Sequence, residues 1–88
     1  GIYAVKVYLN STEHTGMGYI GHRPTINGMT RNIEVNIFDF NRDIYTQPIK
    51  MELLHYVRSD IKFESLEQLT QQLGKDKEDV SAWLKLNV

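Results

Sequence analysis

The chain has 88 residues, 41% of them hydrophobic and 24% charged, with a net charge of −1 at neutral pH and no cysteine. That length supports one core burying roughly 60–65% of the unfolded surface, and the composition excludes disordered and fibrous classes. The charge balance argues against a nucleic-acid partner, the missing cysteines exclude disulfides and thiolate chemistry, and no apolar run approaches the roughly 20 residues that span a bilayer.

GIYAVKVYL enters strand pattern at once, without a Met or a polar lead-in, and is expected to mark a piece excised from something longer. Tyr3, Val5, Val7 and Leu9 alternate with Ala4, Lys6, Tyr8 and Asn10, so residues 2–9 are predicted to be a strand with NSTEHTG as its turn. A short second strand is expected over 17–22, and HRPTINGMT, with Pro24 and Gly28, is expected to be loop. The third strand lies in RNIEVNIFDFNRDIY, followed by a turn at 41–44. Pro48 opens a fourth strand, where a missing N–H is tolerable. The period then changes: Ser65 and Gln68 fit a capping box, and Leu66, Leu69, Leu73, Val80, Trp83 and Leu84 give helical spacing, predicting one kinked helix or two short ones over 65–86. Strands first and helix last imply an α+β domain, mainly β, or a small antiparallel barrel flanked by a C-terminal helix.

Within the third strand, Ile33, Val35 and Ile37 alternate with Glu34 and Asn36. If the alternation continues, Phe38 and Phe40 share the side of Glu34, and a plain solvent face does not usually carry two phenylalanines. Either the strand bulges near Ile37 and Phe38, or Glu34 borders an apolar pocket.

Other motifs read as structure. TGMGYIG has G-x-G-x-x-G spacing at Gly16, Gly18 and Gly21, but no helix follows to hold pyrophosphate, so the dinucleotide reading fails. Tight turns or close approach of a ligand remain as explanations. His14, His22 and His55 lie on different elements and make no zinc cage. His55 is expected to be partly buried and hydrogen-bonded, and His14 a solvated turn residue. KDKED at 75–79 reads as a solvated helix face, Trp83 as core cover, and Arg58 as a partner for Asp60 or Glu64, or with Lys62 as an anion clamp.

MGYIGHRPT (17–25), IEVNIFDFNRDIY (33–45) and LLHYVRSDIKFESLEQL (53–69), with Asp76 beyond, resemble in order and spacing the riboflavin kinase domain. In bacteria that domain usually forms the C-terminal half of bifunctional riboflavin kinase/FAD synthetase. The resemblance covers nearly all 88 residues and implies a six-stranded antiparallel Greek-key β-barrel with a C-terminal helix. It further implies transfer of a phosphoryl group from ATP to the ribityl 5′-hydroxyl of riboflavin, giving FMN, with Mg²⁺. Glu34 aligns with the family's catalytic base. Arg58, Phe63 and Leu66 align with the flavin side, and Gly18, Gly21, Arg23, Pro24, Thr25, Asn36 and Tyr45 with the nucleotide side. An N-terminal FMN adenylyltransferase domain and a cytoplasmic location follow from the same likeness, with no nucleic-acid or membrane partner.

The family's Pro-Thr-Ala-Asn motif, which supplies metal and phosphate ligands, would precede the first strand and is absent. Residues 1–88 are therefore expected to lack a strand, half the metal site and kinase activity on their own, and no metal ligand is assigned among them. Asn36 stands where many members have His, Thr46 replaces a common Gly, and Lys77 occupies an often apolar position. A non-catalytic flavin- or nucleotide-binding barrel is the alternative.

Overall fold

The first strand, β1 (Ile2–Leu9), is apolar on both of its faces, and the fold is built around it. Ile2, Ala4, Val5, Val7 and Leu9 are all 2% exposed or less. A strand buried on both faces needs a neighbour on each edge and a cover on each side. The computed structural model describes residues 1–25, 28–40 and 47–88, with the backbone alone described for 22–25, 29 and 30. Its further elements are β2 (Thr12–Thr25), β3 (Gly28–Ile37), β4 (Lys50–Arg58) and α1 (Leu66–Asn87). The four strands form an antiparallel sheet in the order β3-β2-β1-β4. A fourth strand returning beside the first is the Greek-key arrangement. Among the described residues there are four strands against the six that the resemblance implies, and β3 and β4 are each paired on one edge only.

The hairpins are longer than the sequence pattern suggests. Leu9 pairs with Thr12, so the first turn is Asn10 and Ser11 rather than NSTEHTG, with Asn10 at φ 56°, a left-handed conformation that asparagine tolerates. β2 and β3 stay paired to Thr25 and Gly28, so strand runs through most of HRPTINGMT, the expected loop. Pro24 is tolerated because β1 ends opposite Tyr19, leaving the far part of β2 paired on one side only. The turn expected at 41–44 lies outside the described residues.

α1 is one continuous 22-residue helix. Ser65 caps it as expected, its Oγ accepting from the Gln68 N–H at 3.1 Å. The Gln68 side chain reaches back to the Glu64 N–H at 3.2 Å, one residue before the usual capping-box position. Val80 and Leu84 pack on Ile2, Ala4 and Met17, with Tyr19, Phe38 and Trp83 around them. On the other side of the sheet Val5, Val7 and Ile37 form a second cluster with Val35, Phe40 and Met51. Trp83 does cover the core, and its ring stacks on His55 at 4.7 Å with an interplanar angle of 6°. His55 is exposed rather than buried, whereas His14 is partly buried, meets Phe40 edge-on at 5.1 Å and leaves its Nε2 without a hydrogen-bond partner. Among the described residues no helix is long and apolar enough to cross a membrane.

Gly74 neither breaks nor kinks α1, and nothing lies within 4 Å of where its Cβ would be. Gly74→Ala is therefore expected to stabilise the domain by about 0.5–1 kcal/mol, because alanine loses less backbone entropy in a helix. Urea denaturation should show a raised midpoint with an unchanged slope.

Candidate functional site

The period of two along β3 puts Asn32, Glu34 and Asn36 on one face of the sheet. The register continues that face across the strands: Glu34 opposes Tyr19, Tyr19 opposes Ile2, and Ile2 opposes Arg58. α1 lies over the same face, through Val80 and Leu84, but covers only part of it. What remains is a cavity of about 550 Å³ between the sheet, the first half of α1 and the segment joining β4 to α1. Its volume falls in the range of about 300–1,000 Å³ common for small-molecule sites. Leu69 and Leu73 of the helix, with Ile61 and Phe63 of the joining segment, form an apolar wall. Opposite stand Asn32, Glu34 and Asn36.

Glu34 is exposed and borders this cavity, with Asn32 Nδ2 donating to its Oε1 at 3.4 Å. Of the two explanations for a carboxylate in mid-strand, the pocket is the one observed. β3 does not need to bulge: Phe38 stays on the Glu34 side and packs against the helix-side cluster. Asp39, at φ 54°, then breaks the alternation, and Phe40 packs on the opposite cluster.

Arg58, at the end of β4, does not pair with Asp60 or Glu64. Its Nε and Nη2 donate to the two carboxylate oxygens of Asp76 at 2.7 and 2.6 Å, and its Nη1 to the Ser59 carbonyl at 3.0 Å. Gln72 adds a bond to Asp76 Oδ1 at 2.9 Å. Asp76 is 0% exposed, so the KDKED run is not wholly a solvated face. Burial pushes the Asp76 carboxyl up, but hydrogen bonds from Arg58 and Gln72 outweigh it and hold the group below the usual carboxylate range. The Arg58 guanidinium carbon lies 6.0 Å from the Phe63 ring centre, beside the apolar wall. Asp60 is engaged by the Tyr19 hydroxyl at 2.9 Å.

Glu34, Asn36, Arg58 and Phe63 therefore meet around one cavity. Leu66 is 77% exposed and outside its lining; Leu69 and Leu73, one and two turns further on, take that place. Gly18 faces the other side of the sheet, where Val5 Cγ1 and Met51 Sδ would stand 2.9 and 3.3 Å from an added Cβ. Gly21 leaves room for the Tyr19 ring, and Gly16 for the β3 backbone at Asn36, so close packing within the sheet accounts for all three glycines without a turn. Arg23, Pro24 and Thr25 sit at the far end of β2 opposite Thr30, Met29 and Gly28; their side chains, like all of Tyr45, lie outside the described residues. Sequence reading gave no site role to Tyr19, set Asp60 against Arg58 rather than Tyr19, and cited Asp76 only within the family likeness, without its bond to Arg58. The signal for Asp76 was available: it falls on the stripe 69, 73, 76, 80, 84, where helical spacing points it inward.

A family model described as Flavokinase, riboflavin kinase, matches residues 1–84. The chain belongs to the riboflavin kinase family. It is 45% identical over 84 residues to the bifunctional riboflavin kinase/FMN adenylyltransferase of Haemophilus influenzae, covering 94% of this chain and 27% of that protein. With the enzyme of the same description from Bacillus subtilis it shares 40% identity over 82 residues, covering 90% of this chain and 26% of the relative. The chain thus spans about a quarter of the length of these relatives. A crystal structure described as a macrolide-efflux protein from Streptococcus pneumoniae superposes with a TM-score of 0.87 at 37% identity, over 94% of this chain and 27% of that one.

In this riboflavin kinase domain, Asp76→Ala is expected to cost about 3 kcal/mol, toward the low end for a broken buried pair because the Arg58 side chain is 16% exposed and can rehydrate. The folded pKa of Asp76 lies below its unfolded value near 4. Its stabilising contribution is therefore complete above about pH 4 and is lost as the pH falls below that value. Urea midpoints of parent and variant should differ most at pH 7 and converge toward pH 3.

Proposed function

We propose that this chain is the kinase domain of a bifunctional flavin-cofactor enzyme, phosphorylating riboflavin at the ribityl 5′-hydroxyl with ATP. An FMN adenylyltransferase domain would precede it in the same polypeptide; the names of the relatives pair these two activities in one protein. The observation that carries the reading is Glu34 beside a ligand-sized cavity with an apolar and aromatic wall, in a chain of the riboflavin kinase family. Phe63, Ile61, Leu69 and Leu73 suit an isoalloxazine ring, and the polar side at Glu34 and Asn36 suits the hydroxyls of the ribityl chain.

In the reaction the ribityl oxygen attacks the γ-phosphorus, the new P–O bond forms, the bond to the β-phosphate oxygen breaks, and ADP leaves. A carboxylate is a far weaker base than an alkoxide and does not deprotonate an alcohol in advance. Glu34 therefore orients the hydroxyl and takes its proton as the P–O bond forms. Arg58 has three N–H groups committed to Asp76 and Ser59, so its role is to offer a flat surface to the flavin rather than to clamp phosphate. Arg23–Thr25 and Asn36 would border the nucleotide.

Mg²⁺ would accompany the nucleotide. Among the described residues no group of three or more His, Cys, Asp or Glu side chains could hold a metal ion, and Glu34 alone does not make a cation site. These residues do not fit a resident Mg²⁺.

In the full-length protein, Glu34→Gln is expected to lower the rate of FMN formation about 10²- to 10⁴-fold while changing riboflavin affinity by less than about threefold. Coupled ADP assays and riboflavin titration read the two separately. Undiminished turnover would remove Glu34 from the chemistry. Flavin binding without ADP formation by the unmutated protein would instead favour a non-catalytic binding barrel.

A further inference from the structure

The wall of the cavity between β4 and α1 is made by residues 59–63, which belong to no helix or strand. Such a segment has no ladder of backbone hydrogen bonds to fix it, so its position depends on side-chain ties. At its β4 end Arg58 is held by Asp76. In its middle the Asp60 carboxylate accepts a hydrogen bond at 2.9 Å from the hydroxyl of Tyr19, which lies on β2 directly opposite Glu34. The Tyr19 ring reaches Asp60 by lying across Gly21: an added Cβ at Gly21 would overlap the phenol oxygen and stand 2.6 and 2.9 Å from Cζ and Cε1 of the ring.

We propose that Tyr19, Asp60 and Gly21 form a latch that holds residues 59–63 down as the movable wall of the flavin pocket, with Tyr19 as a positioning residue and Gly21 as the gap its ring requires. The role in flavin retention rests on the functional reading above; the latch itself rests on geometry. It accounts for the third glycine of G-x-G-x-x-G, which no phosphate-binding turn explains. It also anchors the wall to the sheet, on the β2 residue that faces Glu34 across the strands. Releasing the latch should let the wall open and the flavin leave faster, without moving Glu34, whose strand pairing does not involve residues 59–63.

The test uses Tyr19→Phe, Asp60→Ala and Gly21→Ala in the full-length protein. Hydrogen exchange without ligand should accelerate at the amides of 60–63 in all three variants and stay unchanged at those of β1. FMN dissociation should quicken about three- to tenfold, the usual effect of losing one hydrogen bond to a charged group at a partly exposed site, with the single-turnover rate kept. The double variant Tyr19→Phe/Asp60→Ala should be no worse than either single change, since the two residues act through one bond. Alanine at 21, which adds no polar group and suits a strand better than glycine, should match Tyr19→Phe; a Gly21→Ala variant that behaves like the parent would overturn the role given to Gly21. Unchanged exchange at 60–63 in Tyr19→Phe would overturn the latch, and faster exchange with unchanged FMN release would overturn its part in retention. A parent protein that ignores riboflavin, while the exchange pattern still appears, would count against the functional reading and for the latch.

Discussion

The bidentate contact between Arg58 and Asp76 decides where α1 sits, and with it where the cavity is. It joins the last residue of β4 to the middle of the helix, so the seven residues from Ser59 to Ser65 must span a fixed gap. Taking two charges out of water costs several kcal/mol per ion, and even a well-formed pair returns little net stability. Its larger effect is on register. Sliding the helix by one turn, about 5.4 Å, would leave a buried carboxylate without its two donors from Arg58, keeping only the one from Gln72 on the same helix. The helix is thereby held over Ile2, Ala4 and Met17.

The sheet divides the core into two clusters, one under the helix and one on the opposite face. This arrangement also explains why the helix side does not close up. Val80 and Leu84 seal the end near Ala4, while at the other end the facing groups are Asn32, Glu34 and Asn36, whose polar atoms need water or a ligand. An apolar wall facing polar groups that cannot be buried against it leaves a space, and that space has the volume of a small-molecule site.

Mounting Glu34 on a paired strand has a functional consequence, because residues on regular elements are held more tightly than those on loops. The wall opposite is the reverse case: residues 59–63 lack strand or helix pairing and are held by side chains. On the proposed function, a rigid carboxylate and an adjustable wall would separate two tasks: the strand would aim the group that takes the proton, and the segment would admit and retain the ring.

The amino-acid sequence by itself determined the four strands, the helix start at Ser65, and an acidic group in β3 followed by two phenylalanines, because periods of two and 3.6 residues are local properties of the chain. It also carried the family likeness, through motifs in register. It did not reveal that strand continues through most of HRPTINGMT, since Pro24 and Gly28 are turn residues unless a neighbouring strand overrides them, and β3 does. Nor did it reveal that Asp76 is buried, since a carboxylate among charged neighbours reads as solvated until its partner is known. That partner lies 18 positions earlier, on another element. Which side of Glu34 is empty, which ring fills the gap at Gly21 and which charge meets Asp76 were decided only by tertiary structure, because they depend on distances between segments whose separation the local pattern does not encode.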